Sequence, residues 1–228
     1  MLDKALLPLI FLAALLRPVA AQAAGASIVE YTEGASLAFG RYIAGLQHPA
    51  PWNPETIEIE ATLPNSNKQG RLRAIRRMTS SGGADYQVLE IAGDRTVRQQ
   101  VIARYLSAQT AAAEIPADSI AITPTNYQFR YEGVVKLGET VAYVFHIKPR
   151  TKRRGLINGE LWLEGETGTA IRQSGYLVKS PSLFVKRVGV TRETVMDGAI
   201  TQMRLTHLSV DTRIMGLADL TITERPLR

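Results

Sequence analysis

From about Asn126 onward the chain alternates apolar with polar residues in short segments separated by glycine-bearing turns. That is the pattern of an antiparallel β-meander, in which successive side chains point to opposite faces. Tyr127-Gln128-Phe129-Arg130-Tyr131 puts aromatic side chains on one pleat, Leu137-Gly138-Glu139 turns the chain, and Val141 to Ile147 returns it. Glu160-Leu161-Trp162-Leu163-Glu164 runs into Gly165-Glu166-Thr167-Gly168, and Ile171 to Tyr176 leads back out. Ser180-Pro181-Ser182 breaks the alternation before a strand opens at Leu183, and Met196-Asp197-Gly198-Ala199 is a strong hairpin turn, because Asp-Gly tolerates positive φ. Ile200 to Asp211 and Leu217 to Glu224 complete this half of the chain.

The first half carries two helical periods. Ile28, Tyr31, Ala35, Ala38, Phe39, Tyr42, Ile43 and Leu46 recur at intervals of three and four, predicting an amphipathic helix over Ser27 to about Gly45. The three prolines between His48 and Pro54 end it, and Trp52 among them is placed as a lid or plug. Ile57-Glu58-Ile59-Glu60-Ala61-Thr62-Leu63 alternates strictly as a strand, and a basic strand from Lys68 to Met78 places Leu72, Ala74 and Arg76 opposite Arg71, Arg73 and Arg77. Tyr86 to Ile91 is a third strand. Asp94 or Thr96 then caps a second helix that ends before Pro116. The expectation is nine or ten strands and two helices, α+β but mainly β.

Composition adds an address more than an activity. At 228 residues, 45% hydrophobic and 21% charged, the chain has the makeup of one globular domain. The apolar run Leu6 to Leu16, followed by Ala21-Gln22-Ala23, reads as a signal peptide over residues 1–23, leaving residues 24–228 as a periplasmic domain. With no cysteine there is no disulfide framework, no thiol nucleophile and no lipid-attachment cysteine. The net charge of +6 favours anionic surfaces without singling out nucleic acid, which export disfavours.

Candidate chemistry is sparse. His48, His146 and His207 fall in a Pro-rich loop and on two separate strands, with no metal-ligand spacing, so neither a metal nor a cofactor is expected. No serine lies in G-x-S-x-G, the carboxylates Glu58/Glu60 and Glu164/Glu166 read as solvated strand faces and turns, and no phosphate loop precedes a helix. The reading is therefore non-enzymatic. The basic run Lys148, Arg150, Lys152, Arg153 and Arg154 reads as a solvated hairpin tip, or as a docking site for anionic headgroups or an envelope protein.

The segments Tyr143-Val144-Phe145-His146-Ile147-Lys148-Pro149, Gly159-Glu160-Leu161-Trp162-Leu163 with Glu166-Thr167-Gly168, Lys179 to Lys186, and Val210-Asp211-Thr212-Arg213 together resemble the LolA-like outer-membrane lipoprotein-sorting superfamily, in particular a secreted branch without an assigned function. The resemblance covers roughly the C-terminal half. It implies a strongly curved antiparallel sheet, an incomplete β-barrel, with about two helices covering its concave face. It also implies that lipoprotein acyl chains or lipids are carried in an apolar cavity, by a monomer and without a cofactor. On that reading Phe129, Tyr131, Tyr143, Phe145 and Leu161, with Phe184 and Val188, face the cavity, because side chains two apart share a face. The alternative is a non-catalytic cell-envelope interaction module whose core is filled.

Overall fold

The structure, a computed structural model, describes residues 20–47, 55–78, 84–112, 114–197 and 200–226. The apolar run 6–16, the segment with His48 and Trp52, the turn at residues 80–83 and Gly198-Ala199 lie outside the described residues. Helix α1 (Ala20–Gln47) is followed by β1 (Glu55–Leu63), β2 (Lys68–Met78) and β3 (Ala84–Gly93). A continuous helical stretch comes next: α2 (Arg95–Val97), a π-helical turn (Arg98–Ile102) and α3 (Ala103–Ala112). After the short α4 (Ala117–Ile120) the chain is all strand. Its elements are β4 (Tyr127–Leu137), β5 (Thr140–Pro149), β6 (Ile157–Glu164), β7 (Ala170–Leu177), β8 (Val185–Asp197), β9 (Ile200–Thr212) and β10 (Gly216–Pro226).

All ten strands form one sheet in the order β3-β2-β1-β10-β9-β8-β7-β6-β5-β4, and every described pairing is antiparallel. Two meanders are thus joined by the pairing of β1 with β10, and β3 and β4 are left as edges. The sheet is open and curved, with the helices against one face, so it is not a closed barrel.

Local chemistry explains the elements. In β1, Ile57, Ile59, Ala61 and Leu63 are buried while the residues between them are not. Asp94 ends β3 and caps the second helical stretch, its carboxylate accepting from Thr96 N–H at 2.7 Å and Val97 N–H at 3.3 Å. The π turn widens the helix so that Val97, Val101 and Ile102 all reach the sheet and are buried. Gly138 adopts φ +63° in the β4–β5 turn, a conformation that a side chain would strain.

Strand register fixes which residues share the helix-covered face. One row runs Ile59, Ile222, Thr206, Arg192, Gln173, Leu161, Phe145, Tyr131 from β1 to β4. A neighbouring row runs Ala61, Leu220, Leu208, Val190, Gly175, Gly159, Ile147, Phe129. Both helices therefore lie on the same, concave face. At one side α2, the π turn and α3 cover β1, β2 and β10; at the other α1 covers β4, β5 and β6. A smaller cluster of Ile157, Val188 and Val190, flanked by Leu177, Leu208 and Val210, lies between the two.

Candidate functional site

Five of the seven residues expected to line a cavity come together. Phe129, Tyr131, Tyr143, Phe145 and Leu161 all belong to the lobe under α1. Their rings interlock with one from the helix: Phe39 meets Phe129 at 4.8 Å between centroids and Phe145 at 5.5 Å, and Tyr131 meets Phe145 at 5.8 Å. Small residues let α1 approach this closely. Ala35 and Ala38 are buried against the sheet, and a Cβ on Gly34 would lie 2.0 Å from the Tyr143 hydroxyl. The amphipathic stripe predicted for this helix is correct through its middle, whereas Leu46 projects into solvent. Among the described side chains, then, α1 already occupies this lobe.

The other two candidates lie elsewhere. Val188 is buried on the same face but in the middle cluster. Phe184 faces no cavity; it is 59% exposed in the β7–β8 connection. The strand expected to open at Leu183 begins at Val185, so the two-residue period does not extend back to Phe184. The period also slips inside β4, where a register shift between Tyr131 and Gly133 brings Val134 onto the concave side.

Between the lobes the floor changes character from row to row. Thr206, Arg192 and Gln173 make one row polar at its centre, whereas the neighbouring row is apolar or glycine throughout. At its centre Gly159 and Gly175 face each other as bare backbone, and a Cβ on Gly159 would come within 2.0 Å of the Ser174 carbonyl oxygen. The two glycines let β6 and β7 close together and leave the floor without side chains there. From Leu220 to Phe129 this row crosses seven strands, about 29 Å along the sheet at the usual ~4.8 Å spacing.

The C-terminal end of α1 is tied by Arg41 Nη1, which donates to the Gly165 carbonyl at 3.1 Å, and by Tyr42 Oη, which donates to the Ile122 carbonyl at 3.1 Å. Burial, with the Tyr127 hydroxyl close by, raises the Tyr42 pKa far above that of a free phenol, so it stays a neutral donor. At the opposite margin Arg76, expected in the apolar set of β2, does face the helices, where its guanidinium pairs with Glu224. Tyr86 and Tyr105 close over that pair, and desolvation raises both phenol pKa values.

The basic run divides by role. Lys148, next to last in β5, is exposed, as are Lys152 and Arg154. Arg150 Nε donates to the Pro124 carbonyl at 2.8 Å, and Arg153 Nη2 donates to Asn126 Oδ1 at 2.9 Å. Asn126, which nothing in the sequence pattern singled out, is the hub: it is 4% exposed, and its amide also donates to the Asp118 and Ala121 carbonyls. These two arginines fasten the α4 segment to the sheet.

His146 and His207 lie on the convex face, four strands apart, and His207 Nδ1 is 3.1 Å from Thr221 Oγ1. Among the described residues no three His, Cys, Asp or Glu side chains are grouped to hold a metal ion. No described helix is long and apolar enough to cross a membrane.

Sequence comparison matches neither a protein-family model nor a curated protein. Among solved structures the chain is similar to a LolA superfamily protein from Nitrosomonas europaea, with 11% identity, 85% of this chain and 94% of that one covered, and a TM-score of 0.40. It is also similar to MucB in complex with MucA(peri), at 13% identity, 84% and 93% coverage and a TM-score of 0.25. MucB alone gives 15% identity, 85% and 93% coverage and a TM-score of 0.27. In this open ten-stranded sheet the described side chains offer two helix-covered apolar lobes and an apolar row between them.

Proposed function

We propose that the chain, exported by residues 1–23, is a periplasmic binding protein for acyl chains, taken from lipids or lipoproteins into the space between the curved sheet and α1. One observation carries this reading: the apolar row from Leu220 to Phe129 joins both lobes across the concave face and is longer than an extended fatty acyl chain. At its centre Gly159 and Gly175 present bare backbone, so no side chain interrupts the row there. Entry requires α1 to give way, because Phe39 stands among the rings a chain would contact. Arg41 and Tyr42 fasten the helix near its C-terminal end and supply a pivot. Hydrophobic burial drives binding, without bond chemistry, so no catalytic group is required.

The packing of α1 into the aromatic lobe favours a second reading, an envelope interaction module whose core stays filled. Native mass spectrometry of protein purified from the periplasm separates the two. A stoichiometric phospholipid or acylated peptide is expected. A clean unliganded mass, together with no uptake of a fluorescent fatty acid, overturns carriage in favour of the module.

A further inference from the structure

Antiparallel order places the β1–β2, β5–β6, β7–β8 and β9–β10 connections at one end of the sheet. Two of them present large apolar side chains to solvent side by side: Leu183 is 88% exposed and Phe184 59% in the β7–β8 connection, and Ile214 is 76% exposed in the β9–β10 connection. The two tips are braced together. Arg213 donates its backbone N–H to the Phe184 carbonyl at 2.9 Å and its Nε to the Leu183 carbonyl at 3.0 Å. Thr212 Oγ1 receives the Met215 N–H at 3.0 Å and donates to the Gly216 carbonyl at 2.9 Å, fixing the second tip from within. Fixed loops that hold apolar side chains in water call for a partner, since isolated tips would be more soluble with polar residues.

We propose that these paired tips are a docking foot for an anionic lipid bilayer. Charge identifies the partner. Lys179, Lys186, Arg187 and Arg213 surround the tips, and Lys148, Lys152 and Arg154 lie exposed at the same end around the neighbouring β5–β6 connection. Asp211 is the acidic side chain at the foot, and Lys186 pairs with it at 3.3 Å. The Arg187 guanidinium lies over the Tyr176 ring at 4.8 Å, an amphipathic pair suited to a headgroup layer. Leu183, Phe184 and Ile214 enter the acyl boundary while the cations meet phosphate, a combination of apolar insertion and attraction to anionic lipid that holds interfacial proteins. The foot is separate from the concave face, so it does not depend on acyl carriage.

The test uses the full mature chain with vesicles of phosphatidylglycerol and phosphatidylcholine, and with vesicles of phosphatidylcholine alone. Cosedimentation with the anionic vesicles is expected, weaker on neutral ones and weakened by salt. Leu183→Asp and Ile214→Asp, at exposed positions that spare the fold, each lower the affinity by about tenfold or more. Leu183→Trp gives a blue-shifted emission that brominated lipid quenches. Absence of binding to anionic vesicles by the unaltered chain overturns the proposal. So does Asp-variant binding equal to it, or a self-association that Leu183→Asp abolishes while vesicle binding persists. The lipid load of Leu183→Asp, read by native mass spectrometry, stays that of the unaltered chain, so docking and carriage fail or succeed in separate assays.

Discussion

Asp94 does two jobs with one carboxylate: it ends β3 and caps the helical stretch that covers the first lobe. Desolvation works to raise its pKa, but hydrogen bonds from Thr96 and Val97 and the Lys68 ammonium at 3.6 Å outweigh it, holding the carboxyl below the usual carboxylate range. A depressed folded-state pKa means that this carboxylate stabilises the fold above the unfolded value of about 3.9 and stops doing so as acid protonates it. Asp94→Ala is therefore expected to lower the urea midpoint at pH 7, and to lower it by less at pH 3, below the unfolded value. An equal gap at both pH values would assign the loss to the backbone rather than to the charged cap. At this scale the sequence was informative wherever a residue acts on its neighbours. Asp94, Gly138 and the alternating isoleucines of β1 could all be placed. Asn126 could not, because the irregular turn after α4 aims its amide back at the Asp118 and Ala121 carbonyls, and Arg153 becomes its neighbour only after the β4–β5 hairpin folds back.

Among the elements α1 decides whether the aromatic lobe is a core or a site. Its face is built from Gly34, Ala35 and Ala38, which bring it close, and two large rings, Tyr42 and Phe39, of which Phe39 meets Phe129 of β4 and Phe145 of β5. Phe39→Ala should cost about 2–3 kcal/mol of stability, less than a fully buried ring because Phe39 is partly exposed. On the carriage reading the same change raises uptake of a fluorescent fatty acid while the melting temperature falls. A stability loss with no change in uptake would mean that α1 is purely structural. Periodicity located this helix and its inward stripe, and the two-residue period of β4, β5 and β6 located the rings opposite. It did not show that the two would interlock, since volumes across a packed interface are not written in either segment alone. Phe184 shows the limit of the strand rule: Ser180-Pro181-Ser182 interrupts the pleat, and beyond such a break parity carries no information.

For the whole molecule the governing contact is between β1 and β10, which register residue for residue from Glu55 opposite Pro226 to Thr62 opposite Asp219. It converts two meanders into one sheet, with β3 and β4 at the margins. Hydrogen exchange should follow that order: amides in β1, β9 and β10 are expected to outlast those in β3 and β4, because opening an edge disturbs one neighbour and opening the centre disturbs two. Equal protection at edge and centre would contradict it. Strand count and curvature were legible from alternation and family resemblance. The β1–β10 pairing was not, because alternation states that a strand has a buried face and not which distant strand it lies beside. That pairing also sets a timetable. Synthesis and export both deliver β1 more than 150 residues before its partner, so the first meander waits with an unsatisfied edge until β10 has followed. Such a chain completes its fold late and slowly. A product cut short before Gly216 would never close β1 and would present two open strands to any neighbour in the same predicament.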